Sequence, residues 1–167
     1  METLRLPAIL LLITSICLGG LAVSAAQTGA AAPGTPDAVV RELYRVYNHG
    51  KVPLFDRKGR RYQLKFFDKR LADLIWKDIT ETPEGEMGHI DFDPLYNTQD
   101  DTGITNFRVG APVIQGDRAT VIVSFNQFGR RRRITFRMHN TSEGWKVENI
   151  LYPGENADLI KILSEPL

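Results

Sequence analysis

Gly85-Glu86-Met87-Gly88-His89-Ile90-Asp91-Phe92-Asp93-Pro94-Leu95-Tyr96-Asn97-Thr98-Gln99-Asp100-Asp101 divides the chain into two unlike halves. Upstream of it, apolar residues recur at helical spacing; downstream, they alternate with a period of two. The stretch itself gathers Asp91, Asp93, Asp100 and Asp101 with Phe92 and Tyr96 around Pro94. Aspartate and proline together favour turns, so the segment is the expected rim of any functional mouth.

Working upstream, Pro36-Asp37 opens a helix, because Asp37 can accept from the orphan amides of a first turn. Val39, Val40, Leu43, Tyr44, Val46 and Tyr47 supply its apolar side, and Asn48-His49-Gly50 ends it. Residues 52–63 read as irregular, with a basic tract of Arg57, Lys58, Arg60 and Arg61. A second helix is expected over 66–79, with Asp68 as its starting cap. Phe67, Leu71, Leu74, Ile75 and Asp78 lie along one side, with Trp76 beside them.

Downstream, four strands are expected. Thr105, Phe107 and Val109 share one face of the first, and Ala119, Val121, Val123 and Phe125 one face of the second. Ile134, Phe136 and Met138 form the third, and Trp145, Val147, Asn149 and Leu151 the fourth, with Trp145 as its anchor. Gly116-Asp117, Gly129 and Ser142-Glu143-Gly144 supply the turns. A last short helix follows Glu155 or Asn156, its apolar side made by Leu159, Ile160, Ile162 and Leu163.

Residues 1–25 have the pattern of an export signal: Arg5, an apolar run, then Val23-Ser24-Ala25 before the expected cut. An uncleaved membrane anchor is the runner-up, since the apolar run approaches spanning length. Residues 26–36 are an Ala/Gly/Thr/Pro spacer, leaving 37–167 as a single domain. The one cysteine, Cys17, falls within the leader. The mature chain therefore has no disulfide, thiol nucleophile or thiolate metal site. Lys and Arg total 21 against 20 Asp and Glu. That balance argues for no nucleic-acid partner and no membrane insertion once the leader is removed.

Two helices before a meander define an α+β fold in which a curved four-stranded antiparallel sheet wraps the helices and a short C-terminal helix closes the chain. At this point a resemblance enters. Gly85-Glu86-Met87-Gly88, Ile90-Asp91, Asp93-Pro94 and Gln99-Asp100, followed by Gly144-Trp145-Lys146-Val147 and Asn149-Ile150, resemble the bacterial domain of unknown function 3828. The resemblance spans roughly residues 37–163. It implies a cone-shaped domain of the nuclear-transport-factor-2-like, cystatin-like kind and no particular activity. That superfamily holds enzymes, ligand carriers and interaction modules alike.

The candidate ligand-contacting residues are Trp76, Asp93, Tyr96, Asp100, Arg132 and Asn149. Asp93 and Asp100 sit on the rim, with Trp76 and Tyr96 as walls. Arg132 shares a face with Ile134 and Phe136 and is expected to meet an aspartate at the mouth. Asn149, on an apolar face, needs a hydrogen-bond partner in the core or in a pocket. A calcium loop is excluded, because Pro94-Leu95-Tyr96 replaces the ligand series after Asp93. His49, His89 and His139 lack metal-ligand spacing. Arg130 to Arg133 alternate between faces and read as a solvated hairpin end. No catalytic residue, metal or cofactor is assigned.

These features point to an exported, periplasmic or secreted, non-enzymatic module that binds a small molecule or a protein. One alternative is a cone-pocket isomerase, dehydratase or hydrolase using Asp93 or Asp100. The other is an immunity or inhibitor protein that presents its acidic rim to a partner. N-terminal sequencing of the exported protein is expected to start near Ala26; a retained Met1 would contradict the leader assignment.

Overall fold

The computed structural model describes residues 34–47, 50–99 and 103–166. The expected leader and most of the spacer (residues 1–33), with residues 48–49, 100–102 and 167, lie outside the described residues. The chain runs α1 (Pro36–Tyr47), α2 (Arg60–Phe66), α3 (Lys69–Glu81), β1 (Thr105–Val109), β2 (Val113–Gln115), β3 (Arg118–Gln127), β4 (Arg130–Thr141), β5 (Gly144–Tyr152), β6 (Ala157–Asp158) and α4 (Leu159–Leu163). The class is α+β. The sheet has six strands rather than four, in the order β1-β3-β4-β5-β6, with β2 pairing with β3 as well. The two extra strands, β2 and β6, are only three and two residues long. Such short pieces carry too little alternation to be read from sequence.

The long β3–β4 hairpin is the backbone of the sheet. Val121, Val123, Phe125, Ile134, Phe136 and Met138 are buried on its inner face, with α1 packed on β3 and α3 on the neighbouring β5. Helix α1 presents Val40, Leu43, Tyr44 and Tyr47 at the i, i+3, i+4, i+7 positions of an amphipathic helix. Leu71, Ala72 and Ile75 do the same for α3.

Two helices stand where residues 52–79 were expected to be irregular and then one helix. Gly59 makes the first possible: a Cβ there would lie 2.0 Å from the Pro53 carbonyl oxygen. Gln63 of α2 is fully buried and donates to the Leu54 carbonyl (2.9 Å). The chain then breaks at Phe67 and Asp68. Phe67 is extended and bridges Val147 of β5, and Asp68 N donates to the Val147 carbonyl (2.9 Å). The Asp68 carboxylate accepts from Leu71 N (2.8 Å), the expected cap of α3. Lys146, placed on the polar face of β5 by alternation, is buried instead. Its Nζ donates to the Leu64 and Lys65 carbonyls (3.0 and 2.9 Å), satisfying the C-terminal end of α2 with a cation.

Strand β5 departs from strict alternation. Met138 pairs with Val147 and Arg137 with Asn149, so Glu148 is an extra residue, a bulge. Beyond it the faces exchange. Ile150 (fully buried) and Tyr152 turn inward; Asn149 and Leu151 turn to the other face, and Trp145 is only half-buried. The inward face expected from Trp145 through Leu151 therefore holds only as far as Val147. The last helix starts after Asp158, whose carboxylate accepts from Lys161 N, two to three residues later than expected because β6 intervenes.

The bulge gives a direct test. Ile150→Ala should cost about 2–5 kcal/mol and Leu151→Ala clearly less, read by chemical denaturation; the opposite order would restore uninterrupted alternation.

Candidate functional site

The segment from Gly85 to Asn97 crosses the open end of the inner face and is pinned twice. The first pin is Asp78, a buried carboxylate on α3. Its Oδ1 accepts from His89 N (2.9 Å) and faces His89 Nδ1 (2.7 Å), and its Oδ2 accepts from Ile90 N (3.2 Å). An ionised carboxylate only accepts, so Nδ1 carries the proton in this pair. Gly88 allows the approach: a Cβ there would stand 2.9 Å from both Asp78 oxygens and 2.6 Å from Thr82 Oγ1.

The second pin is Asp93. Its Oδ1 accepts from Leu95 N (2.8 Å), an Asx turn, and its Oδ2 from the Tyr47 hydroxyl (3.0 Å). Its carbonyl takes Tyr96 N and Asn97 N, and its own amide donates to Thr98 O (2.8 Å). Two more tyrosines reach the same turn. Tyr44 donates to the Leu95 carbonyl (2.5 Å) and Tyr152 to the Pro94 carbonyl (3.2 Å). Burial pushes both phenols well above their ordinary range, with the Asp93 charge adding for Tyr44 and those of Asp93, Glu155 and Asp158 for Tyr152. Both hydroxyls therefore stay protonated donors.

The turn drives its side chains into the core. Leu95 is fully buried, and Tyr96 is 5% exposed, packing edge-on against Tyr44 and Phe125 at 5.4 and 5.5 Å between ring centres. What would be the floor of a pocket is filled by side chains. Two open clefts remain beside the segment, of about 420 and 430 Å³. They share Phe55 and Ile90, and Asp56, Glu84, Glu86, Asp91 and Asp93 contribute to their walls. Met87, 74% exposed, lines the first of them.

The six sequence candidates do not converge. Asp93 and Tyr96 lie in one turn, but Tyr96 points into the core. Trp76 sits on α3 beneath the Arg60 guanidinium (5.5 Å), away from both clefts. Arg132 is exposed, across from Phe125, and makes no ion pair among the described residues, so the expected bridge to an aspartate is absent there. Asp100 lies outside the described residues. Asn149, turned to the outer side by the bulge, joins three elements. Its Nδ2 donates to Asp158 Oδ1 (2.9 Å), and its Oδ1 accepts from Ile150 N and Ile160 N. Burial works against the Asp158 charge, but the Asn149 amide, the Lys161 and Ile160 backbone N–H groups and the Arg137 charge outweigh it and hold the carboxyl below its ordinary value. A depressed acid stabilises the fold at neutral pH and loses that contribution as pH falls through the lowered value.

Residues that organise the segment but escaped the sequence reading are Asp78, Gly88, His89 and the tyrosine hydroxyls. Asp78 did leave a signal: a carboxylate on an apolar helix stripe must find donors. The Asp78–His89 pair resembles a catalytic base, yet its free nitrogen, His89 Nε2, is buried without a partner. The pair also borders a further cleft of about 470 Å³, together with Leu74, Lys77 and Leu163. Among the described residues no cluster of three His, Cys, Asp or Glu side chains is placed to hold a metal ion.

No family model matches this chain, and no curated protein does. Two solved chains are similar in fold. One is in the crystal structure of the type VI SeMet effector–immunity complex Tae3–Tai3 from Ralstonia pickettii, at 19% identity and a TM-score of 0.53, covering 74% of this chain and 100% of that one. The other is in the native form of the same complex, at 17% identity and a TM-score of 0.51, covering 74% and 99%. At this identity the likeness concerns the fold. No helix among the described residues is long and apolar enough to cross a membrane.

Removing the pins should cost stability without touching any chemistry. Asp78→Ala is expected to lose about 3 kcal/mol and Asp93→Ala about 2, with Asp93→Asn milder than Asp93→Ala, by urea denaturation. Calcium should leave every melting temperature unchanged; a calcium-dependent rise in the parent that Asp93→Asn abolishes would make Asp93 a metal ligand instead.

Proposed function

We propose that this chain is an exported protein-binding module of the immunity or inhibitor kind, which acts by covering a partner protein with its acidic segment. The observation that carries the reading is the filled inner face. Leu95 and Tyr96 occupy the space a substrate or carried ligand needs, and both Asp93 oxygens are already engaged. An enzyme of this shape needs a carboxylate and a donor converging inside a pocket, and a small-molecule carrier needs a concave site that encloses most of its ligand. The outer side of the same segment is better suited to a protein surface. Met87 and the rim of Phe55 and Ile90 offer an apolar centre, and Glu84, Glu86 and Asp91 an acidic surround, the layout of an interface patch. That chains of similar fold occur in an effector–immunity complex supports the same reading.

The export assignment rests on the leader pattern of residues 1–25. The kinship with the domain of unknown function 3828 and with nuclear-transport-factor-2-like cones rests on the Gly85–Pro94 and Gly144–Ile150 motifs.

The test is native mass spectrometry of the protein purified from its own cell envelope, alongside Met87→Arg and Asp91→Arg. Both side chains are exposed, so both variants should fold. The expected result is a complex with a second protein that either substitution weakens by roughly tenfold or more. A retained small molecule, or a protein complex indifferent to both substitutions, would overturn the proposal.

A further inference from the structure

The β3–β4 hairpin closes through Phe128 and Gly129, both at positive φ (49° and 74°). Two central residues at positive φ suit the twist of a hairpin, and Asn-Gly or Asp-Gly normally supplies them. Glycine meets the requirement freely; a bulky side chain at the first position is strained. The Phe128 ring is 68% exposed, so core packing does not compensate. The ring borders Gly103 and is otherwise open, and a strained, largely exposed aromatic at a hairpin turn is a mark of use rather than of folding.

The register places cations beside it. Arg131 stands opposite Asn126, and Arg133 opposite Ser124. Ser124 is in turn opposite Arg108 of β1. Cross-strand partners share a face, so the three arginines lie on the outer side of the sheet, Arg131 and Arg133 about 7 Å apart along β4 and Arg108 across β3, about 10 Å from Arg133. All three are exposed and form no ion pair among the described residues. Farther along the same face the cations are matched: Arg118 pairs with Asp117 and Glu148, and Arg137 lies near Asp158. Ile122, one step in from Ser124, is 46% exposed and adds an aliphatic surface next to the arginines. The positive field is thus confined to the Phe128 end of the sheet.

We infer that this end of the sheet is a second docking surface, one that receives an acidic face of a folded protein, with Phe128 as the apolar anchor and Arg108, Arg131 and Arg133 as its cations. Arginine and aromatic side chains around an apolar centre are the composition of protein-binding hot spots. A single-stranded nucleic acid would call for a series of aromatics to stack successive bases, and Phe128 stands alone. This surface is on the outer side of the sheet, and its argument is independent of the function proposed for the acidic segment.

The test uses fluorescein-labelled polyglutamate, oligothymidylate of equal length, and phosphatidylglycerol vesicles, at ionic strength near 0.15 M. The parent should bind polyglutamate in preference to the other two. Arg131→Glu with Arg133→Glu should weaken that binding by roughly tenfold or more. Phe128→Asn should weaken it by roughly threefold while keeping or raising the melting temperature, since asparagine suits the turn. Equal binding by parent and variants, or no binding at all, would overturn the inference. Tighter binding of the oligonucleotide or the vesicles would do so too, by assigning the face to nucleic acid or lipid.

Discussion

Three phenolic hydroxyls hold this structure in its particular form. Tyr44, Tyr47 and Tyr152 reach the turn at Asp93-Pro94-Leu95 from two directions, α1 and β5, and each donates to a polar group of the turn, the Leu95 and Pro94 carbonyls and the Asp93 carboxylate. Because the turn is fastened from below, Leu95 and Tyr96 can be driven into the space between α1 and β3. The consequence reaches function: the space between α1 and β3 is filled by the chain's own side chains.

Much of the architecture was legible from periodicity. The apolar stripe of α1 and the alternation of β3 and β4 are strong signals, because each buries one face over many residues. The misses have physical causes. Helix α2 is only seven residues long and depends on Gly59 passing close to the Pro53 carbonyl, a contact that leaves no trace in local pattern. The bulge at Glu148 reverses the faces of Asn149, Ile150 and Leu151, and every residue concerned is plausible on either face. The site was half legible. Asp93 was singled out, and its carboxylate forms the Asx turn that Asp-Pro suggested. Its partner Tyr47 and the whole Asp78–Gly88–His89 anchor depend on pairing residues about 10 to 50 positions apart, which only the fold supplies. Arg132, opposite Phe125 near the hairpin end of β4, is exposed and forms no ion pair among the described residues.

The near-neutral composition, with a net charge of +1, hides a separation of charge. The segment around Met87 gathers Glu84, Glu86 and Asp91; the Phe128 end of the sheet gathers arginines that form no ion pair among the described residues. Each has an exposed apolar side chain at its centre and is held by rigid structure nearby, the first by Asp78 and the second by the ten paired positions of the β3–β4 hairpin. Surfaces of this kind steer association and discriminate between partners more than they add raw affinity.

The central claim is that residues 93–97 are part of the core rather than a lid over a pocket. Native-state hydrogen exchange at the Leu95, Tyr96 and Asn97 amides tests it most directly, since exchange reports the free energy of local opening. Protection matching that of the central amides of β3 and β4 is the predicted result. Exchange as fast as in the exposed 84–87 turn would mean that the segment opens independently, and a cavity behind it would again be available to a ligand.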